Sequence, residues 1–257
     1  MKGEMYPTVF RIGDFDITSF GVLVACGALV GLWIFGRELT RSGLPASASD
    51  AAMAGVFGGL VGAKLLWVVE HLGEEPFWQL LFSRGGMSWF GGLAGGVGTA
   101  LVVMWRRRLP ILAMLAAAAP ALAVGHAIGR IGCFLVGDDY GRPSDLPWAV
   151  AFPQGLPPTD VRVHPTQLYE AFALAIVAWL LIRWRRNGVP DAIVFGRYLV
   201  LAGSIRFAIE FIRVNVRIVG PFTLAHLVSL ALVVVGLLML VWRPGNVPVR
   251  AAKRRER

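Results

Sequence analysis

PILAMLAAAAPALAVGHAIGRIGCFLVGDDYG, residues 110–141, decides the fold. It begins as an apolar run and ends in a glycine-rich polar motif. About 20 apolar residues suffice to cross roughly 30 Å of hydrocarbon. This run extends over 110–135 and carries Arg130 inside it. Pro110 and Pro120 interrupt it, which a membrane helix tolerates where neighbours satisfy the freed carbonyls. Six further apolar runs lie outward from it, at 18–36, 51–72, 88–105, 167–182, 194–212 and 222–242. The predicted fold is therefore an all-α polytopic membrane protein with about seven transmembrane helices.

Composition agrees. Of 257 residues, 56% are hydrophobic and only 16% are charged, against about 25% charged in a soluble domain. The mean hydropathy is +0.64. A net charge of +9 invites a nucleic-acid reading. That reading fails because the basic residues flank apolar runs instead of forming one face. Cys26 and Cys133 lie in separate apolar runs, so neither a disulfide framework nor a zinc spacing is expected. No cleavable leader is expected either, since Lys2, Glu4, Arg11, Asp14 and Asp16 occupy the start without an early apolar core.

Lys and Arg alternate between the connecting segments. Arg37, Arg41, Arg106 to Arg108, Arg183, Arg185, Arg186, Arg197 and six residues of the tail from Arg243 form one set of fifteen. Lys2, Arg11, Arg84, Arg142, Arg162, Arg213 and Arg217 form the opposing seven. The positive-inside rule then predicts an outer N-terminus and a cytoplasmic C-terminus. Residues 1–242 read as one transmembrane domain with an outer-face segment at 137–163. Residues 243–257 read as a basic cytoplasmic tail, an anchor of topology or a contact for anionic lipid.

Lys64, Arg130 and Arg206 remain, all within or at the edges of spans. Intramembrane charge is costly, and its default reading is functional. Arg130 stands among Gly129, Gly132, Gly137 and Gly141, where flexible backbone permits close ligand approach. It is either neutralised by Asp138–Asp139 or is the fork donor to an anionic headgroup. Arg206, Glu210 and Arg213 are spaced by four and then three, so Arg206 and Glu210 share a helix face. They form an internal salt bridge, or Arg206 faces the cavity of Arg130.

His164-Pro165-Thr166-Gln167-Leu168-Tyr169-Glu170 opens the fifth span. Thr166 and Glu170 fit a helix start with Thr166 as cap, while His164 lies at the outer interface. His126 reads as a satisfied intrahelical histidine. The runs Gly58-Gly59-Leu60-Val61-Gly62-Ala63-Lys64 and Gly91-Gly92-Leu93-Ala94-Gly95-Gly96 are small-residue patterns for helix packing, or line a cavity. Gly85-Gly86-Met87-Ser88 reads as a re-entry turn. Four scattered histidines make no metal site by spacing.

With these residues in view, the chain resembles the prolipoprotein diacylglyceryl transferase family over most of its length. Gly129 through Gly141 is similar to the family signature G-R-x-G-N-F-x-N-x-E-x-x-G. Supporting matches are Gly85 to Ser88 with Gly91 and Gly92, Trp148 to Pro153, His164 to Glu170, and Arg206 with Glu210 to Arg213. The resemblance implies transfer of the diacylglyceryl group of phosphatidylglycerol to the lipobox cysteine thiol of a pre-lipoprotein signal peptide. A thioether forms and glycerol-1-phosphate leaves. It implies a bacterial cytoplasmic (inner) membrane location, no cofactor, and membrane lipids as neighbours; the spacing and charge pattern above add the expectation of no metal and no nucleic acid.

Carried over residue by residue, the resemblance makes Arg130 and Arg206 the phosphate clamp. Asp138, His164 and Glu210 become the candidate bases. Gly129, Gly132, Cys133, Gly141, Gly91, Gly92, Tyr169 and Arg213 become the substrate contacts. The attacking thiol belongs to the substrate, so Cys133 reads as packing rather than nucleophile. This sequence departs from the family pattern at several positions. Cys133 stands for an Asn, Asp138 for the Glu, Phe90 for a His, Phe20 and Ala202 for tyrosines, and Lys64 for an Arg. The alternative reading is a non-catalytic phospholipid-binding or lipid-handling paralogue. A small-solute transporter would show repeat symmetry between halves, and none is visible.

Overall fold

A computed structural model describes residues 8–12, 15–83, 86–215, 217–218 and 220–241. Two strands, β1 (Thr8–Ile12) and β2 (Phe15–Thr18), pair antiparallel ahead of α1 (Ser19–Ser42). Then come a 3-10 turn (Ala46–Ala48), α2 (Ser49–Glu70), the short α3 (Phe77–Phe82), α4 (Trp89–Arg106) and α5 (Ile111–Val136). β3 (Val150–Phe152) and β4 (Thr159–Val163) form a second antiparallel pair. α6 (Thr166–Arg186), α7 (Asp191–Glu210) and α8 (Leu224–Val241) complete the described chain.

Each of the seven expected spans coincides with a helix. α1, α2, α5, α6, α7 and α8 are long and apolar enough to cross a membrane, while the apolar part of α4, Phe90–Arg106, is shorter. The all-α polytopic class stands; the two short strand pairs are additions that the apolar runs did not announce. Large apolar side chains point outward along the helices. Phe172 is 72% exposed and Val241 82%. Such surface is an aggregation liability in water and ordinary against acyl chains. The tail 243–257, Lys2, Arg84 and Gly85 lie outside the described residues.

The chain divides into two compact units, 1–34 with 115–257, and 35–114. The second is built on α2 crossing α4. A Cβ on Gly62 would strike the carbonyl oxygen of Gly91, and one on Gly95 the carbonyl oxygen of Gly58. Backbones approach this closely only where side chains are missing. Thr99 Oγ1 crosses between the helices to donate to Ala54 O at 2.9 Å. Gly91 and Gly92 thus serve helix packing here. Lys64 Nζ donates to Ser83 O at 3.0 Å and Ser83 Oγ at 2.9 Å, and lies 4.6 Å over the Trp67 ring. Its charge ties the segment before α4 onto α2. Gly62→Ala is expected to destabilise by about 1–3 kcal/mol through overpacking. Gly98, whose Cβ would meet nothing within 4 Å, is expected to tolerate alanine. Thermal unfolding of the two variants in detergent tests this; equal midpoints would refute it.

The first unit holds the polar centre. Its helices approach through small residues too. A Cβ on Gly27 of α1 would lie 3.0 Å from Gly125 O of α5, and one on Gly236 of α8 2.7 Å from Gly196 O of α7. Ala116, Ala119 and Ala123 of α5 pack with Val177, Ala178 and Leu181 of α6 and Val194 of α7. This alanine face draws α5, α6 and α7 together, so polar side chains nearer their other ends converge.

Candidate active site

Three arginines and three carboxylates close an alternating ring in the first unit. Arg130 Nη1 of α5 meets Asp139 Oδ2 at 2.7 Å, and Asp139 Oδ1 accepts from Arg213 Nη2. Arg213 Nε lies 3.8 Å from Glu210 Oε2, which is 2.9 Å from Arg206 Nη2. Arg206 Nη1 lies 3.5 Å from Glu170 Oε2. The same Glu170 oxygen sits 2.8 Å from Arg130 Nε and closes the ring. Three positive and three negative groups leave it neutral.

Neutrality is what makes the cluster possible. Each ion removed from water costs several kcal/mol even after relaxation, and the ring gives each a partner of opposite sign. Burial is uneven. The Glu210 side chain is 0% exposed and that of Glu170 2%, whereas Asp139 is 40% exposed. Glu210 is held further by Asn215 Nδ2 and Thr223 Oγ1, both donating to its Oε1 at 2.7 Å.

Asp139 adopts a left-handed backbone, with φ +61, two residues after Gly137 at φ +70. A non-glycine residue in this region carries strain and is uncommon. The double reversal aims Asp139, not Asp138, at Arg130. Thr166 Oγ1 donates to Asp139 O at 2.8 Å, so Thr166 ties the loop down and does not cap α6. Gln167 Nε2 donates to Asp138 O. Gly141 is required by crowding, because a Cβ there would lie 2.8 Å from Thr166 Cγ2 and 2.9 Å from His164 Cβ.

Burial pushes the Asp138 carboxyl above the ordinary range, and the neighbouring Asp139 charge adds to this. Burial acts the same way on Asp139, but Arg213 and Arg130 outweigh it and hold that carboxyl below its ordinary value. The sign follows from linkage. A depressed folded-state value gives stability that is present above the unfolded aspartate value of about 3.9 and lost as pH falls through the lower folded value. Asp139→Asn is therefore expected to lower the unfolding midpoint at pH 7, with the gap from wild type closing below about pH 4. A gap unchanged in acid would show that the carboxylate charge is not responsible.

Of the residues singled out in the sequence, Arg130, Arg206, Glu210 and Arg213 meet in the ring. Arg206 forms the salt bridge expected with Glu210 and also lies 3.5 Å from Glu170 Oε2, the oxygen that Arg130 faces. Cys133 is buried, 3.7 Å from Arg130 Nη1. Gly132 packs on α1, where a Cβ would lie 3.3 Å from Leu23 Cβ. A Cβ on Gly129 would meet nothing within 4 Å. His164 Nδ1 lies 3.4 Å from Tyr169 Oη, which accepts from Trp148 Nε1 at 2.7 Å. Backbone links this trio to the ring's loop: Gly141 N donates to His164 O at 2.9 Å.

Glu170 is the ring member that local sequence patterns assign elsewhere, to a helix start; the neutralisation of Arg130 expected from the Asp138–Asp139 pair comes from Asp139. Electroneutrality was the available signal, since arginines within apolar spans demand about as many acids. Cys133, Asp138 and Asp139 also place one potential metal ligand each within 4.8 Å of one another. Both Asp139 oxygens are committed to guanidiniums, so the cluster is poorly suited to a cation.

These features define a helical multi-pass membrane protein with an arginine-rich, ion-paired centre, an arrangement suited to a phosphorylated lipid. A family model described as prolipoprotein diacylglyceryl transferase matches residues 7–242. The chain belongs to that family. The phosphatidylglycerol–prolipoprotein diacylglyceryl transferase of Pseudoalteromonas translucida is 32% identical over 248 residues, 92% of either chain. That of Geobacter sulfurreducens is 32% identical over 249 residues, covering 91% of this chain and 94% of its own. That of Vibrio cholerae is 29% identical over 249 residues, covering 92% and 90%.

Proposed function

We propose that this protein transfers the diacylglyceryl group of phosphatidylglycerol to the lipobox cysteine thiol of a pre-lipoprotein. The observation that carries the proposal is the convergence of guanidiniums. Arg130 and Arg206 reach one oxygen, Glu170 Oε2, at 2.8 and 3.5 Å, and Arg130 and Arg213 straddle Asp139. Donors already oriented toward a single anion need little reorganisation to receive a phosphate. Asp139, the exposed carboxylate of the ring, is the member that yields its place.

The phosphate of phosphatidylglycerol sits on Arg130 and Arg206, with Arg213 beside them. As the sulfur attacks the terminal glyceryl carbon, the carbon–oxygen bond to phosphate breaks. The developing charge of glycerol-1-phosphate falls on the guanidiniums, which stay cationic throughout. Gly129 and Gly132 keep this stretch of α5 slim, while Thr166 and Gln167 hold the loop that carries Asp138 and Asp139. The protein lies in the bacterial cytoplasmic membrane with seven spans, α1, α2 and α4 to α8. Its N-terminus and residues 137–163 face outward, and its basic tail faces the cytoplasm.

The test is purified protein in phosphatidylglycerol nanodiscs with a synthetic lipobox peptide. A peptide mass increased by one diacylglyceryl group, absent when its cysteine is replaced by serine, is the expected result. Recovery of unmodified peptide would overturn the proposal.

A further inference from the structure

The transfer reaction must dispose of the thiol proton, and within the ring the carboxylate oxygen that faces no arginine and accepts no hydrogen bond, Glu170 Oε1, is buried. Asp139, Glu170 Oε2 and Glu210 are committed to arginines. The chain has four histidines. His71 Nδ1 is bonded to Trp67 O at 2.9 Å, in the second unit. His226 is buried among Phe207, Phe211 and Phe222, and its Nδ1 accepts from Thr223 N at 3.1 Å. His164 is engaged with Tyr169.

His126 differs. It lies four residues before Arg130 on the same face of α5. Its side chain is 45% exposed, with Nε2 3.5 Å from Glu170 Oε1. That oxygen is buried and accepts no hydrogen bond, while its twin faces Arg130 and Arg206. Glu170 therefore presents one oxygen to the clamp and the other to an imidazole. A carboxylate facing Nε2 favours the proton there and leaves Nδ1 as the acceptor, the logic of a carboxylate-oriented histidine base. The spacing fits as well. Four residues rise about 6 Å along a helix, of the order of the reach from a leaving phosphate through the reacting carbon to an attacking sulfur.

We propose that His126, oriented by Glu170, is the base that takes the proton from the substrate thiol. This rests on the transfer reaction proposed above. Nδ1 accepts the proton as the sulfur lone pair forms the carbon–sulfur bond. The electrons of the breaking carbon–oxygen bond go to the phosphate oxygen. The imidazolium, balanced by Glu170, then gives its proton to the departing phosphate and the site is restored.

The test compares wild type and His126→Gln on two lipobox peptides, one with cysteine and one with selenocysteine. A selenol is ionised at neutral pH and needs no base. The variant is expected to lose about 10²-fold in kcat on the cysteine peptide, the lower range for general-base catalysis. Its KM for phosphatidylglycerol should be unchanged, and its loss on the selenocysteine peptide should be under about 5-fold. An equal loss on both peptides, or no loss on the cysteine peptide, overturns the assignment and leaves the transfer reaction standing. A wild type that modifies neither peptide overturns the transfer reaction and the assignment together. His126→Asn serves as the second variant if His126→Gln is not recovered folded.

Discussion

Arg130→Ala is expected to slow diacylglyceryl transfer by about 10³-fold, the upper range for removing one donor aimed at developing anionic charge. That is about 4 kcal/mol of transition-state stabilisation. Arg130 touches both Asp139 and Glu170, so it belongs to both places where an anion can sit. Arg130→Lys keeps the charge but not the planar fork, and a loss of about 10²-fold is expected. The lipobox-peptide assay measures both. Complementation of a strain depleted of the activity gives an independent readout. Full rescue by Arg130→Ala would remove this arginine from the clamp.

Glu170→Ala carries the largest expected effect on stability. It strands Arg130 and Arg206 around a buried gap and leaves the ring with one excess positive charge. Removing one partner of a buried pair typically costs about 3–5 kcal/mol. Glu170→Gln restores volume and some hydrogen bonding but not charge, and is expected to fall between alanine and wild type. Thermal unfolding in detergent, followed by circular dichroism, tests the order. An alanine variant as stable as wild type would show that the ring does not hold α5, α6 and α7 together.

The helices were legible because an apolar run of about 20 residues has few fates other than a membrane helix. The strand pairs were not, since β3 and β4 are three and five residues long and carry little periodicity. The site divides along a similar line. Arginines inside apolar runs stand out, so Arg130 and Arg206 could be named from the sequence. Their partners could not all be found. Glu170 lies forty residues from Arg130, and its neighbour Thr166 drew it into a local helix-start motif. The choice between Asp138 and Asp139 turns on the left-handed backbone at Gly137 and Asp139, which adjacent acids do not encode. His126 looked satisfied within α5, and only the approach of α6 supplies its carboxylate.

The closed ring also bears on how the protein is made. Arg130 is synthesised first, and Glu170, Arg206, Glu210 and Arg213 follow in that order. At about 5–20 residues per second, the forty residues to Glu170 take roughly 2–8 s. For that interval α5 presents a buried cation whose nearest partner in the chain is the Asp138–Asp139 turn. The exposed position of Asp139 thus suits a nascent chain as well as an incoming lipid: it can shield Arg130 early and give way later. The last ring residue, Arg213, follows just after the end of α7 at Glu210, so the arginines become a finished phosphate seat only once most of the chain has been made.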